Sequence, residues 1–228
     1  MMTARLTRPS DATLNAFLGL RGTVPDDTLR SQTERCLQKV MEASAPAACY
    51  RVLPFTVLPD GIRPNGTELL LSGTDIATQL SGCTALLLMA ATIGTGVERL
   101  LLRSEAADVG DALITDACAG AVIETVCDNL ENDLRAFFSK RGLHLTGRFS
   151  PGYGDLPLDL QGSILSVLDA RRAIGLTVTP SGIMVPRKSV TAILGISPVP
   201  TEGHRAGCDT CAIRSGCTHR KEGNTCES

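Results

Sequence analysis

The sequence predicts an α+β fold, with helices packed on a bent, mainly antiparallel sheet and a cysteine-rich tail behind it. Three observations carry this expectation. Short apolar or alternating runs bounded by Pro, Gly, Asn and Asp are mixed with segments whose apolar residues recur at helical spacing, the pattern of an α+β chain. The 228 residues are 43% hydrophobic and 20% charged, enough to bury one full core. From Thr201 the composition changes to Gly, Cys, Thr and charge, so the expected division is a domain over residues 1–200 and a tail over residues 201–228. Aromatic residues are only 3% and tryptophan is absent, which leaves the core to Leu, Ile, Val and Ala.

The elements follow in order. Residues 9–19 read as a short helix. Asp26 and Asp27 suit an N-cap for a helix running to about Ala43, with Leu29, Cys36, Leu37, Val40 and Met41 on its inner face. Residues 48–58 read as a strand ended by the turn Pro59-Asp60-Gly61, and Glu68–Leu71 as a short second one. Thr74-Asp75 can cap a brief helix through Leu80, stopped by Ser81-Gly82. Cys83–Ile93 is continuously apolar and short, which predicts a buried strand. Helix then extends from Gly96 to about Lys140 with a break near residues 107–110. Leu143–Thr146 leads into a turn-rich segment, residues 158–172 are helical, and the last strands cover about 176–179, 182–186 and 189–196.

Charge and hydropathy narrow the function classes. A net charge of −2 with no basic stripe gives no footprint for nucleic acid or an anionic membrane. The longest apolar run, Thr84–Ile93, is far too short to span a bilayer. The first residues lack the basic, apolar, small-residue order of a signal peptide, so nine cysteines point to reduced thiols or metal ligands in the cytoplasm.

The stretch with most chemistry is Gly147-Arg-Phe-Ser-Pro-Gly-Tyr-Gly-Asp-Leu-Pro157. Pro151 and the glycines hold one fixed cation, Arg148, close to one of only two tyrosines, Tyr153. Arg offers a planar fork for a carboxylate, and Tyr an apolar face with a hydroxyl, so such a loop suits a small ligand carrying both a carboxylate and a flat ring. A well-turned surface loop is the plain alternative. Glu124 shares a helix face with Leu113, Ala117, Gly120 and Ala121, small residues that would leave space in front of its carboxylate. An exposed Glu on a solvated face is the competing reading. In the tail, Cys208-x2-Cys211-x5-Cys217, with Cys226 after eight intervening residues and His219 as a substitute ligand, is compatible with tetrahedral zinc or an iron–sulfur cluster, against free or redox-active thiols. Cys36, Cys49, Cys83, Cys118 and Cys127 sit in apolar contexts and read as small core residues. Arg187 and Lys188 read as a solvated turn, and Gly94-x-Gly96 is too little for a phosphate loop.

Arg148-Phe-Ser-Pro-Gly-Tyr153, followed by a helix, Ile174-Gly-Leu-Thr-Val-Thr179 and Met184-Val-Pro-Arg-Lys-Ser-Val190, resembles the activation domain of cobalamin-dependent methionine synthase, and most closely its free-standing relatives. Leu18-Gly-Leu-Arg-Gly22 ahead of the first long helix is similar to the start of those relatives. The resemblance implies that S-adenosylmethionine is held by Arg148 on its carboxylate, Tyr153 at the adenosyl or sulfonium part, Glu124 on the ammonium or ribose hydroxyls, and the loop backbone at Phe149 and Gly152. Phe149 stands where the family commonly has Ala, so only its backbone carries over. Asp26 or Asp27 would have to serve as the family's early acidic contact, and its late tyrosine has no counterpart. The Asp-x-His-x-x-Gly segment that supplies a lower cobalt ligand is absent, so cobalamin would be presented by a partner, a corrinoid-binding protein or methionine synthase core. The function implied is reductive reactivation of that partner, with flavodoxin or ferredoxin as electron donor. The alternative is a metal or iron–sulfur redox or docking protein for a corrinoid methyltransferase, without S-adenosylmethionine chemistry.

Overall fold

The computed structural model describes residues 2–20 and 23–200. In chain order the elements are β1 (Met2–Thr3), α1 (Asp11–Phe17), α2 (Asp27–Ala43), β2 (Ala47–Leu53), β3 (Phe55–Leu58), β4 (Gly61–Pro64), α3 (Thr74–Gln79), β5 (Ala85–Thr92), α4 (Thr95–Ala107), α5 (Val109–Ser139), β6 (His144–Leu145), α6 (Leu160–Val167), α7 (Ala170–Ile174), β7 (Thr177–Val178), β8 (Met184–Val185) and β9 (Ser189–Ser197). Five strands hydrogen-bond in the order β1-β2-β5-β9-β6, while β3-β4 and β7-β8 form separate two-stranded sheets. The pairs β1/β2, β3/β4, β6/β9 and β7/β8 are antiparallel. Backbone bonds Thr84 N–H to Ile196 O and Ile93 N–H to Lys188 O, flanking the two ends of β5, make β5 and β9 antiparallel as well. The fold is α+β with an antiparallel sheet and packed helices, as the sequence predicts. The expected tail, residues 201–228, lies outside the described residues.

The chain divides into two compact units, one built from residues up to Tyr50, Met89–Ala136 and Gln161–Thr191, the other from Arg51–Leu88, Phe137–Leu160 and the residues from Ala192. In the first, Asp26 caps α2 as expected, its Oδ1 accepting the Leu29 N–H at 2.8 Å. Cys36, Leu37 and Val40 are buried on its inner face, and Leu29 and Met41 are half-buried. The segment 118–123 of α5 is buried on every side, which follows from Cys-Ala-Gly-Ala-Val-Ile offering no polar face. Gly94-x-Gly96 has a packing reason: a Cβ at Gly94 would stand 3.1 Å from Ala45 O, and one at Gly96 would collide with the carbonyl of Ala43. The start of α4 lies directly on the C-terminal end of α2, where no side chain fits.

Three elements differ from the sequence reading. The strand expected over 48–58 is divided at Pro54, which cannot donate to a ladder, and continues as the β3–β4 hairpin. The strand expected at 68–71 shrinks to one bridge, Leu71 with Ile62. The helix expected over 158–172 breaks between α6 and α7 at Asp169, whose φ of 49° lies in the left-handed region that Asp tolerates better than most residues.

Gly96→Ala tests the α2–α4 approach. It should lower unfolding free energy by about 1–3 kcal/mol, the usual cost of overpacking, in urea denaturation. A variant as stable as the parent would mean that the contact gives way freely.

Candidate functional site

The candidate loop starts as an edge pairing on β9. His144 and Leu145 face Ser197 and Ile196. Thr146 N–H donates to Gly195 O at 3.0 Å, and Phe149 N–H to Ile193 O at 2.9 Å. Between these pairs Gly147 and Arg148 together stand opposite the single residue Leu194, so the register slips by one in the manner of a β-bulge. Bulges bend a strand and re-aim its side chains, and here the bulge carries Arg148. Beyond it, Tyr153 N–H donates to Ser150 O at 3.0 Å, Gly152 N–H to Leu156 O at 2.8 Å, and Leu156 N–H to Tyr153 O at 3.0 Å. Gly152, at φ 91°, adopts backbone that an L side chain would strain. Pro151 and Leu156 are buried beneath the turn, and the Phe149 and Tyr153 rings lie 6.4 Å apart at 54°. Tyr153 is 55% exposed, leaving most of its ring open, whereas Phe149 is buried.

Both ends of this loop are tied to α3. At the far end, Asp155 takes over the cap: its Oδ2 accepts the Thr74 N–H at 2.6 Å and the Thr74 hydroxyl at 2.8 Å, and its Oδ1 accepts the Asp75 N–H at 3.1 Å. The contact is reciprocal, because Asp75 Oδ2 accepts the Asp155 N–H at 3.1 Å. A Cβ at Gly154 would collide with the Asp75 carboxylate, and one at Gly73 with that of Asp155. At the near end, buried Gln79 donates through Nε2 to Gly147 O at 2.7 Å and to Thr146 Oγ1 at 2.9 Å. Neither tie was anticipated. Local sequence points to Thr74-Asp75 as the cap of α3, whereas the cap comes from Asp155 in the loop.

The other candidates are distributed as follows. Glu124 is half-buried on α5, in the unit that does not contain the Arg148 loop. The space expected beside it is partly filled: the Phe17 ring of α1 lies so close to Gly120 that a Cβ there would stand 2.6 Å from Cδ1, and Ala121 is fully buried. Small residues on α5 therefore admit a neighbouring ring rather than leave a void. What remains open is a hollow of about 460 Å³ further toward the start of α5, between Phe17, Leu18, Leu29, Leu113 and Ala117. Asp116 borders it and pairs with Lys188 at 2.9 Å. Asp26 is engaged as a helix cap, and Asp27 pairs with Arg30 at 3.6 Å.

Arg187 and Lys188 do more than decorate a solvated turn. Glu98 takes the Arg187 guanidinium at 2.7 Å and its backbone N–H at 2.8 Å, while Glu105 takes Nη2 at 3.1 Å. The five described cysteines are free thiols, four of them buried, in keeping with a core role. Burial, with a smaller contribution from neighbouring Cys36, pushes the Cys118 thiol up to about 12, so it is no nucleophile at neutral pH. The proposed ligands Cys208, Cys211, Cys217 and Cys226 lie outside the described residues, and no metal-ligand cluster occurs among the described ones. No described helix is long and apolar enough to cross a membrane.

No protein-family model matches the chain. No curated protein matches it either. A solved structure does: the crystal structure of the MetH reactivation domain bound to AdoHcy superposes with a TM-score of 0.60, covering 94% of this chain and 81% of that one at 16% identity. The chain thus has the fold of the MetH reactivation domain, the fold that the Arg148 motif and its flanking segments led us to expect.

The Asp155 cap makes a pH prediction. Hydrogen bonds from the Thr74 hydroxyl and then the Thr74 amide hold the Asp155 carboxyl below its ordinary value. A depressed folded value means that the cap is at full strength above the ordinary carboxylate range and is lost as pH falls through the lower, folded value. The amide proton shifts of Thr74 and Asp75 should follow one titration with its midpoint below that of an unperturbed Asp. A midpoint at or above the ordinary value would contradict the cap.

Proposed function

We propose that the chain is a reactivation module that binds S-adenosylmethionine and restores a corrinoid protein, in the simplest case a short cobalamin-dependent methionine synthase. The observation that carries this reading is the Arg148-x-x-x-Gly152-Tyr153 loop, tied down at both ends, in a chain with the MetH reactivation fold. The solved MetH reactivation domain was bound to AdoHcy, which is what S-adenosylmethionine becomes on losing its methyl group. In this reading residues 1–200 form the functional domain, residues 201–228 are an appended tail, and the protein works in the cytoplasm.

The residues present fit such a ligand in most respects. Arg148 supplies a fork for the methionine carboxylate, and the open face of Tyr153 attracts a sulfonium as it would any cation. Gly152 lets the backbone come close where a side chain would intrude. Phe149 fits less well: its N–H is bonded to Ile193 O and its carbonyl accepts the Ile193 N–H at 2.8 Å, leaving only the carbonyl's second lone pair for a ligand. Glu124 enters the proposal through the resemblance of its helix, as acceptor for the ligand's ammonium or ribose hydroxyls. One electron from a low-potential donor, flavodoxin or ferredoxin, together with the methyl of S-adenosylmethionine, would return the partner's cob(II)alamin to methylcobalamin and release S-adenosylhomocysteine. The protein's share is positioning; no residue of the loop has to act as acid or base.

A second reading rests on the tail. Four cysteines at 208, 211, 217 and 226 with metal-ligand spacing favour zinc or an iron–sulfur cluster, and hence a redox or docking role toward the same partner.

Two measurements separate the readings. Calorimetric titration of S-adenosylmethionine should show binding that Arg148→Ala weakens by tenfold or more, about 1.4 kcal/mol; no binding even with a corrinoid partner present would overturn the methyl-donor reading. Anaerobic purification should yield protein with stoichiometric zinc, or with iron and acid-labile sulfide, lost in Cys208→Ser/Cys211→Ser. Metal-free protein would leave the tail as free thiols.

A further inference from the structure

Helix α3 has six residues, too few to be stable by itself, yet it bonds to the candidate loop at both ends. Gln79, in its last turn, holds the Gly147 carbonyl just before the Arg148 bulge. Its first amides are held by Asp155, which follows Tyr153 by two residues. The intervening residues 148–154 include two glycines at positive φ, the part of the loop with most backbone freedom to lose. The two ties are long-range, joining residues 68 and 81 positions apart, so they fix the loop against a separate element. The space at the Asp155 end is closed as well, since neither Gly73 nor Gly154 could carry a Cβ beside the paired carboxylates.

We infer that α3 is a splint that holds the Arg148–Tyr153 loop in its ligand-binding conformation, with Asp155 and Gln79 as positioning residues that never touch the ligand. The inference rests on the S-adenosylmethionine reading for its functional half. Its structural half, that the loop's order depends on the ties to α3, stands independently. The splint acts by removing conformational freedom before binding, so that less ordering remains to be done when the ligand arrives. It further implies that Asp155 changes affinity while leaving the ligand's polar contacts unchanged.

The test is amide hydrogen exchange on ligand-free full-length protein, followed by calorimetry with S-adenosylmethionine, for wild type, Asp155→Ala and Asp155→Asn. Asp155 lies on the surface, so both variants should fold, and a cooperative melting transition within a few degrees of wild type verifies this. Expected for Asp155→Ala is exchange faster by roughly fivefold or more, in line with loss of one ordinary cap, at Thr74, Asp75, Gly152 and Leu156 alike. Asp155→Asn keeps one acceptor oxygen and should fall between the two. Affinity should weaken in the same order as exchange quickens. Faster exchange confined to Thr74 and Asp75 overturns the splint, whether or not wild type binds the ligand. Faster loop exchange with unchanged affinity in a wild type that does bind overturns the positioning role. A wild type that does not bind even with a corrinoid partner present, with loop exchange quickened as described, removes the methyl-donor reading and supports the structural half of the splint alone.

Discussion

Two carboxylates, Asp75 and Asp155, each accept an amide of the other's segment, and the conformation of the 147–157 loop depends on that exchange. By itself the loop is a glycine-rich connection that water would solvate in many forms. Asp155 satisfies the first amides of α3, and Asp75 in turn fixes the backbone at Asp155. Each group fills an orphan position that every helix end and tight turn leaves open. Gln79 completes the frame from the other end of the same helix. The energy of any one of these bonds is modest. Their effect lies in closing a short loop against a short helix at both ends.

The first unit is organised by size rather than by polarity. With so few aromatic residues, close packing comes from bringing backbones together. Gly94 and Gly96 let α4 meet the end of α2, and Gly120 lets the Phe17 ring lie on α5. The ion pairs of Arg187 and Lys188 tie the connection before β9 to α4 and α5. Partly exposed pairs of this kind contribute little energy each, and the sharing of Arg187 between two carboxylates chiefly orients the chain.

The free thiols illustrate how burial assigns a role. Cys36, Cys118 and Cys127 are as buried as the leucines around them, and desolvation holds Cys118 protonated. Cysteines of this kind act as small apolar residues.

Local pattern was enough for the fold class and for most element positions. The Asp26 cap, the apolar face of α2, the run that became β5 and the break between α4 and α5 are each determined within a few residues, where propensity and periodicity act. The Arg148 motif was legible for the same reason: its residues are adjacent in sequence, and their order relative to the later strands pointed to the MetH reactivation fold. Tertiary structure alone decided the remainder. That Asp155 rather than Thr74 caps α3, that Gln79 holds Gly147, that Phe17 fills the place beside Gly120 and that Arg187 reaches Glu98 all join residues 68 to 103 positions apart. A hydrogen-bond donor or a small side chain announces a need for a partner but not its address. The address is determined only when the whole chain packs and one arrangement leaves the fewest polar groups unpaired and the least space unfilled.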